Sequence, residues 1–367
     1  MTEFKFYPHS VVWEITFACN MRCIHCGTSA GKARPDELTT DEALRLIDEL
    51  ADLGTDILTL SGGEPLLRKD WPKLARKGKE RGMQMALISN GLAINEDVVK
   101  EFKDIGFSMI GISFDGTEKT HNYIRQREDS YAKAVNAMKL MTQHGVRYCA
   151  VSQISNVNLD ELDQIRQILL DVGCDLWRIQ MTTTTGRMQR DLVLSLDNYP
   201  RFIDKIIEYQ KVEKDSIVID VGENIGYYGC KGSRLLYGQP YLGCYAGMRV
   251  AGISSNGNVK GCLSMPEEFV EGNIRDSSFT EIWNRPDGFA YNRQFTRDSA
   301  EGACHDCKYL PLCRGGCTTT SISATGCRAN NPYCIYQMEQ AEGVEPKDSG
   351  IIRHLLEQHP LEAEANR

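Results

Sequence analysis

Apolar runs and amphipathic stretches alternate along the first 213 residues of the chain. Six apolar or β-branched runs have the length of buried strands and lie at residues 10–18, 56–60, 83–89, 108–113, 146–155 and 176–181. Six stretches with apolar residues at helical spacing lie at residues 39–54, 70–81, 95–105, 130–144, 159–172 and 197–213. The first begins with a capping box, Thr39 and Glu42, and ends at Gly54.

Six consecutive strand–helix units predict an α/β fold with a parallel sheet covered by helices. Right-handed crossovers curl such a sheet into a partial (β/α)6 TIM-like barrel, which we assign to residues 1–225. Barrels of this kind place their active sites at the carboxyl ends of the strands. The polar segments that follow the first four strands are CNMRCIHCG at 19–27, SGGEPL at 61–66, SNG at 89–91 and SFDG at 113–116.

The strand–helix rhythm ends near residue 225. Residues 226–340 are rich in Gly, Cys and short turn-like pieces, which predicts a small, cysteine-rich second domain held together by metal. Residues 341–367 are polar and predict a tail with one short helix.

Composition excludes several classes of function. The chain has 367 residues, 41% hydrophobic and 25% charged, as in ordinary globular proteins. A net charge of −8 argues against a nucleic-acid or anionic membrane partner. No apolar run approaches the ~20 residues of a membrane span, and the N-terminus lacks a signal-peptide pattern. We therefore expect a cytoplasmic enzyme.

Fourteen cysteines are distributed unevenly along the chain. The cytosol keeps thiols reduced, so metal or iron–sulfur ligation is a better explanation than disulfides. Cys19, Cys23 and Cys26 have the spacing Cx3Cx2C. A structural zinc site normally has four ligands, and His25 is awkwardly placed beside Cys26 to complete one. A [4Fe–4S] cluster bound by three thiolates leaves one iron open, which is a catalytic arrangement.

The Cx3Cx2C spacing after the first strand, with GGEP at 62–65 after the second, resembles the radical S-adenosylmethionine (SAM) enzymes over residues 10–225. The resemblance implies that the open iron is chelated by the amino and carboxylate groups of SAM. One electron then cleaves SAM, and the resulting 5′-deoxyadenosyl radical takes a hydrogen atom from the substrate. The cofactor carries this chemistry, while the protein supplies position and excludes water.

The same resemblance implies which residues bind SAM. Gly62, Gly63 and Glu64 would bind the methionyl amino group, since glycines permit close approach and a carboxylate complements an ammonium. The residues implied to contact the ribose, the methionyl part or, for the last of them, the carboxylate of SAM are Asn90, Ser113, Asp115, Ser152 and Arg125. An ordinary turn or loop-capping role is the alternative for each. His25 occupies a position where the family commonly has another aromatic residue.

A second spacing pattern occupies the cysteine-rich region. Twelve residues separate Cys244 from Gly257, and four more separate Gly257 from Cys262. The segment CHDCKYLPLCRGGC at 304–317 then has the spacing Cx2Cx5Cx3C, and Cys334 follows. An isolated Cx2C pair is typical of a zinc ribbon. The whole pattern instead resembles the SPASM domain that follows some radical SAM barrels.

The SPASM resemblance implies two auxiliary [4Fe–4S] clusters, and thus three clusters in all. One set of ligands would be Cys304, Cys307, Cys313 and Cys334. The other set would be Cys244, Cys262, Cys317 and an upstream residue, for which we favour Cys230. If Cys230 does not reach, that cluster has an open iron for substrate.

Two further residues have alternative interpretations. Cys327 lies outside both ligand sets and is either a small buried thiol or a hydrogen donor or acid near the substrate. Arg187 ends the polar segment TTTTGR at 182–187 and either binds a substrate carboxylate or is an ordinary surface arginine. Cys149 on a strand and Cys174 at a helix end are expected in the core.

The resemblance favours a radical SAM oxidoreductase or maturase that oxidises or crosslinks a ribosomal peptide or protein side chain. The alternative is a small-molecule enzyme for aminosugar dehydrogenation or tetrapyrrole side-chain modification, since VVWEITFACNMRCIHC at 11–26 is similar to the haem-biosynthesis branch. A third possibility, an electron carrier without catalysis, would need neither GGEP nor the three-cysteine site. One expected partner is an electron donor such as flavodoxin or ferredoxin. Because only 18 residues precede Cys19, we also expect either a separate leader-peptide-binding protein or a substrate without a leader.

Overall fold

A computed structural model describes residues 6–212 and 217–358 of the chain. The strands of this part are β1 (Ser10–Glu14), β2 (Ile57–Ser61), β3 (Gln84–Ser89), β4 (Met109–Ser113), β5 (Tyr148–Ile154), β6 (Leu176–Met181), β7 (Val218–Val221), β8 (Val250–Ile253), β9 (Asn258–Lys260) and β10 (Gly272–Asn273). The helices of the first part are α1 (Thr40–Asp52), α2 (Trp71–Glu80), α3 (Glu96–Ile105), α4 (Glu118–Arg125), α5 (Ser130–His144), α6 (Leu162–Asp171) and α7 (Tyr199–Val212). The helices that follow are α8 (Gly229–Leu235), α9 (Phe279–Asn284), α10 (Ala290–Arg293), α11 (Leu310–Cys313), α12 (Thr318–Thr325), α13 (Ile335–Ala341) and α14 (Gly350–Gln358).

One sheet runs through the molecule in the order β10-β9-β8-β1-β2-β3-β4-β5-β6-β7. All neighbours from β8 to β7 are parallel, whereas β9 and β10 are antiparallel to the strands beside them. Each of the first six strands is followed by a helix that returns the chain to the next parallel strand. The predicted α/β, TIM-like barrel is therefore confirmed. The structure adds β7 and, on the other edge, three strands from the cysteine-rich region.

Local sequence explains most of these elements. Helix α1 begins where the Thr39 side chain accepts a hydrogen bond from the Glu42 amide (3.3 Å) and the Glu42 carboxylate accepts one from the Thr39 amide (2.8 Å). Its buried side chains recur at helical spacing and are Ala43, Leu46, Ile47 and Leu50. Cys149 and Cys174 are buried, as the sequence predicts.

Some elements differ from the sequence-based expectation. Strand β1 ends at Glu14, because the residues beyond it leave the sheet to form the first cysteine loop. The stretch predicted as a helix over 159–172 is a 3-10 turn (Leu159–Glu161) followed by α6. Helix α4 and strand β7 are not predicted, because both are short and the buried residues of α4 include His121 and Arg125.

The cysteine-rich region folds against the sheet through β8 to β10 and the helices that follow them. Helix α14 contributes Ile352 to a buried cluster with Tyr228 and Tyr309. The domain boundaries at residues 225 and 340 remain predictions. Within the described residues, no helix is long and apolar enough to cross a membrane.

Candidate active site

Three cysteines come together in the loop after β1, which we call the first cysteine loop (residues 15–31). The Cys19 amide donates to the Gly31 carbonyl (2.8 Å), and the Gly31 amide donates to the Phe17 carbonyl (3.0 Å), which closes the loop. Cys23 is buried, and Cys19 and Cys26 are half-buried. Burial raises the pKa of Cys19 to about 11, and the neighbouring thiols of Cys23 and Cys26 act in the same direction.

These thiols suit an iron–sulfur cluster better than a single ion. Within residues 6–212 and 217–358, no three His, Cys, Asp or Glu side chains converge as they would on one metal ion. A cluster needs its ligands farther apart, because each thiolate binds a different iron. Since burial keeps Cys19 protonated, cluster binding must displace that proton.

The GGEP segment packs against the first cysteine loop. The Gly63 amide donates to the Thr16 carbonyl (2.8 Å), and the Glu64 amide donates to the Ala18 carbonyl (2.7 Å). A Cβ at Gly62 would lie 2.5 Å from the Thr16 oxygen, and one at Gly63 would lie 2.3 Å from the Ala18 oxygen. The glycines therefore let two segments of protein backbone meet, and their approach to SAM remains a prediction.

The Glu64 carboxylate is fully buried and ties GGEP to the end of β3. It accepts hydrogen bonds from the Ser89 hydroxyl (2.9 Å) and the Asn90 amide (2.8 Å). Burial raises the pKa of Glu64 to about 7. Its contact with the amino group of SAM remains a prediction. The hydrogen bonds from Ser89 and Asn90 show that Glu64 also connects GGEP to the segment after β3.

Asp115, Arg125 and His25 form a buried ionic group around Cys23. The Arg125 guanidinium is paired with Asp115, and its Nη1 lies 3.8 Å from Cys23 Sγ. His25 Nε2 lies 3.5 Å from Asp115 Oδ2. Burial alone would raise the pKa of Asp115, but Arg125 and His25 outweigh it and hold that pKa below its usual value. The SAM contacts predicted for Asp115 and Arg125 remain predictions.

The other residues predicted to contact SAM are Asn90, Ser113 and Ser152, and they differ in burial and in distance from the first cysteine loop. Asn90 Nδ2 donates to Asn20 Oδ1 in the first cysteine loop (2.8 Å). Ser113 is half-buried at the end of β4. Ser152 is buried, accepts a hydrogen bond from Trp177 Nε1 (2.8 Å) and donates to a backbone carbonyl. The structure therefore brings Asn90 to the loop but directs Ser152 into the interior.

A polar surface on β6, β7 and the turn after β7, which we call the acidic wall, consists of Arg178, Asp220 and Glu223. Arg178 is paired with Asp220, and its Nη2 lies 2.7 Å from Glu223 Oε2. The side chains of Arg178, Asp220 and Glu223 are 28%, 42% and 68% exposed, so all three are open to ligand. Beside them, Gln153 Nε2 donates to Gln180 Oε1 (2.6 Å).

The acidic wall lies on the inner face of the sheet. On β6, Trp177 and Ile179 are buried, and Trp177 stacks on Tyr209 of α7 with ring centroids 5.9 Å apart. Arg178 and Gln180 alternate with them and therefore belong to the opposite face. Sequence reasoning misses this wall, although the alternation in LWRIQM at 176–181 is a usable signal.

The acidic wall reaches toward the cysteine-rich region. Burial raises the pKa of Cys262 to about 11, and the negative charge of Glu223 acts on that thiol in the same direction. The Glu223 side chain reaches solvent but has protein atoms around it, which would raise its pKa; the Arg178 guanidinium outweighs this effect and holds the pKa of Glu223 below its usual value.

Four thiols line a small cavity of about 20 Å³ together with Tyr227 and Asn331, and they are Cys304, Cys307, Cys313 and Cys334. Burial raises the pKa of Cys334 to about 12, and the thiols of Cys307 and Cys304 contribute. We call this site the four-thiol cavity. The structure brings together the whole predicted set, and its ligation of a cluster remains a prediction.

A three-thiol group lies elsewhere in the same region. Burial raises the pKa of Cys317, and Cys244 and Cys262 act on the same thiol. Cys230 is exposed on α8, where its amide donates to Glu339 Oε2 (2.8 Å). The structure does not bring Cys230 to the other three, and its role as fourth ligand remains a prediction.

Cys327 and Arg187 have partners of their own. Cys327 Sγ donates to Glu301 Oε2 (2.9 Å), and that carboxylate raises the pKa of Cys327. A role as hydrogen donor or acid remains a prediction. Arg187 donates to the carbonyls of Cys23 (2.9 Å) and Ala30 (3.0 Å), so its guanidinium binds the first cysteine loop.

Comparison with known proteins agrees with this arrangement. The sequence model of the radical SAM superfamily matches residues 13–172, and that of the SPASM iron–sulfur cluster-binding domain matches residues 244–308. An AdoMet-dependent heme synthase of Methanosarcina barkeri is 30% identical, with 90% of this chain and 97% of the relative covered. The mycofactocin maturase MftC of Mycolicibacterium smegmatis is 26% identical, with 96% and 90% covered.

The solved structure of Streptococcus suis SuiB bound to S-adenosylmethionine has the same fold. Its TM-score is 0.70 at 16% identity, and the match covers 89% of this chain and 76% of SuiB. The three-thiol first loop, the GGEP segment beside it and the end-to-end likeness to the heme synthase establish the family. The chain is a radical SAM enzyme with a SPASM domain, and it uses SAM and iron–sulfur clusters.

Proposed function

We propose that this chain oxidises a peptide or protein side chain, with net removal of two electrons. When bound, the cluster of the first cysteine loop and SAM supply the radical that removes a hydrogen atom from the substrate. The residues of the chain bind and orient the substrate and exclude water from it.

The acidic wall is the observation that carries this substrate class. Arg178 is shared between Asp220 and Glu223, so the wall has a net charge of −1. The amides of Gln153 and Gln180 add neutral donors and acceptors, which match the groups of a peptide backbone. Such a surface favours neutral or cationic substrates and disfavours those rich in carboxylates.

A hydrogen-bonded row connects the first cysteine loop to the wall. His25 lies against Asp115, and Asp115 Oδ1 accepts a hydrogen bond from the Gln153 amide (2.9 Å). The Gln153 side chain then donates to Gln180 on the neighbouring strand (2.6 Å). We infer that this row is the floor on which a substrate bridges the two sites.

Tetrapyrrole side-chain modification is the second candidate. It is favoured by the 30% identity to an AdoMet-dependent heme synthase that is matched over 97% of its length. The carboxylates of a tetrapyrrole would have to compete with Asp220 and Glu223 for Arg178. For that reason we rank a tetrapyrrole substrate below a peptide substrate. The comparison that supports a peptide substrate is the similarity to MftC, which covers 96% of this chain.

The proposed partners follow from the reaction. An electron donor such as flavodoxin or ferredoxin would reduce the first cluster, and a separate protein would present the leader of a peptide substrate. The cytoplasm is the proposed location, because the free thiols of the chain need a reducing compartment.

The test supplies anaerobic, iron-loaded protein with SAM, dithionite and one of two substrates. One is a set of synthetic peptides from reading frames beside the gene, and the other is Fe-coproporphyrin III. We expect peptide-dependent 5′-deoxyadenosine and a peptide lighter by a pair of hydrogen atoms. Turnover of Fe-coproporphyrin III in place of the peptides would overturn the proposal.

A variant of the acidic wall tests whether this surface binds the substrate. Glu223→Gln should raise the KM for the peptide several-fold, because it removes the more exposed carboxylate. Glu268→Gln, in a short 3-10 turn of the cysteine-rich region, is the matched control and should leave KM unchanged. Equal KM values in both variants would remove the wall from substrate binding.

A further inference from the structure

The turn after β6 docks on the first cysteine loop through one residue. The Arg187 amide donates to the Cys26 carbonyl (3.0 Å), its Nε to the Cys23 carbonyl (2.9 Å) and its Nη1 to the Ala30 carbonyl (3.0 Å). Two of these carbonyls belong to cysteines that are predicted cluster ligands. Residues 185–188, which we call the brace turn, therefore hold the loop at three points.

Close backbone contact supports the same docking. Gly186 has φ of +58°, and a Cβ there would lie 2.2 Å from the Cys26 oxygen and 2.4 Å from the Gly27 oxygen. A Cβ at Gly27 would in turn meet Thr185 Oγ1 at 3.1 Å. Gly186 is thus needed for the two segments to touch, and a side chain at Gly27 would make a tight contact with Thr185.

The first cysteine loop has little regular structure with which to order itself. It carries one isolated bridge, between Ala18 and Gly31. Its amides donate within the loop, to the end of β2 and to α4, and its carbonyls accept from the amides of GGEP and of the brace turn. Holding three thiols in one arrangement costs conformational entropy unless other residues order the loop in advance. Hydrogen bonds from a guanidinium are stronger than neutral ones, which suits Arg187 to this task.

We propose that Arg187 is a positioning residue that keeps the first cysteine loop in the conformation that binds the cluster. It acts through the backbone of Cys23, Cys26 and Ala30 and touches neither SAM nor substrate in this role. This inference concerns assembly of the first cluster and is independent of the substrate class proposed above.

The test compares Arg187→Gln and Arg187→Lys with the control Arg190→Gln, an exposed arginine three residues further along. Full-length protein is studied iron-loaded and metal-free. The measurements are amide hydrogen exchange over residues 19–31, alkylation rates of each thiol by mass spectrometry, and iron content with the electron paramagnetic resonance (EPR) spectrum of the reduced protein.

For Arg187→Gln we expect exchange and alkylation in the first cysteine loop to quicken by about tenfold or more. The iron-loaded variant should lose up to about four irons per chain. The thiols of the four-thiol cavity should keep their rates, Arg187→Lys should recover part of the protection, and Arg190→Gln should match the unmodified protein. Unchanged rates in Arg187→Gln, or equal loss of protection throughout the chain, would overturn the proposal.

Discussion

The first cysteine loop places Cys23 beside charged groups, whereas aromatic rings pack against the thiols of the four-thiol cavity. Arg125 lies 3.8 Å from Cys23 Sγ and is paired with buried Asp115. Around the four-thiol cavity, Tyr309 stacks on Tyr228 with centroids 4.2 Å apart and meets Tyr336 edge-on at 4.7 Å.

We infer that this difference separates a site that must change its ligands from one that only needs to persist. Three thiolate ligands would leave one iron open for SAM, and the surrounding charged groups would orient a polar ligand. Four thiolate ligands would complete the coordination of a cluster, with aromatic rings packed beside them. Surroundings as well as ligand number therefore distinguish the two kinds of cluster site.

The largest effect should follow removal of a thiol from the first site. Cys23→Ala should abolish 5′-deoxyadenosine formation with dithionite and lower the iron content by about four per chain. Cys174→Ala is the matched control, because that thiol is also buried but lies in the core outside every thiol group. Undiminished 5′-deoxyadenosine from Cys23→Ala would refute the assignment of the first site.

Removing a thiol from the four-thiol cavity should have a structural effect. Cys313→Ala should also lose about four irons, yet SAM cleavage driven by dithionite should persist. The thermal midpoint of the iron-loaded protein should fall by roughly 5 °C or more, the shift that about 2 kcal/mol produces in a large domain. Iron analysis and calorimetry measure these two results. Complete loss of SAM cleavage in Cys313→Ala would contradict the proposal that the first site cleaves SAM and the four-thiol cavity has a structural role.

The next prediction concerns the buried ion pair of Arg125 and Asp115 and the free energy of unfolding. Arg125→Met leaves the Asp115 carboxylate buried without its cation and should lower the free energy of unfolding by about 3–5 kcal/mol in the metal-free protein. The double change Arg125→Met with Asp115→Leu should recover much of that loss. Arg76→Met removes exposed ion pairs with Glu101 and Asp104 and should have a much smaller effect, because exposed ion pairs contribute little to stability. Denaturant unfolding that ranks Arg76→Met as the costlier variant would contradict this account.

The last expected effect is a dependence of stability on pH, which Glu64 causes. Its pKa rises from 4.5 to about 7 on folding, so the folded state binds more protons between these pH values. The contribution of Glu64 to stability is therefore present below about pH 4.5 and lost as pH rises through about 7, by at most about 3 kcal/mol. Glu64→Gln should remove that slope from metal-free protein unfolded in denaturant. If the free energy of unfolding depended on pH in the same way in Glu64→Gln and in the unmodified protein, Glu64 would not be the source of the dependence.

The fold could be predicted where signals are local. The capping box of Thr39 and Glu42 marks the start of α1, and the apolar runs mark six strands within a few residues. Helix α4 escapes prediction because its buried face includes His121 and Arg125, which contact Asp115. Polar contacts have replaced, at α4, the apolar pattern that periodicity detects.

The site could be predicted only where its residues share a motif. The spacing of the cysteines groups the thiols of the first cysteine loop and of the four-thiol cavity. Arg187 reaches Cys23 across 164 residues, and Glu223 reaches Arg178 across 45, so no local pattern joins these pairs. Cys230 has no such motif, and it lies exposed on α8, where its amide donates to Glu339.

The most direct test of the difference between the two sites is a titration of the reduced protein with SAM, followed by EPR spectroscopy. SAM should change the spectrum of the unmodified protein and of Cys313→Ala, because both retain the open first site. It should leave the spectrum of Cys23→Ala unchanged. A SAM-dependent change that persists in Cys23→Ala and disappears in Cys313→Ala would contradict the account.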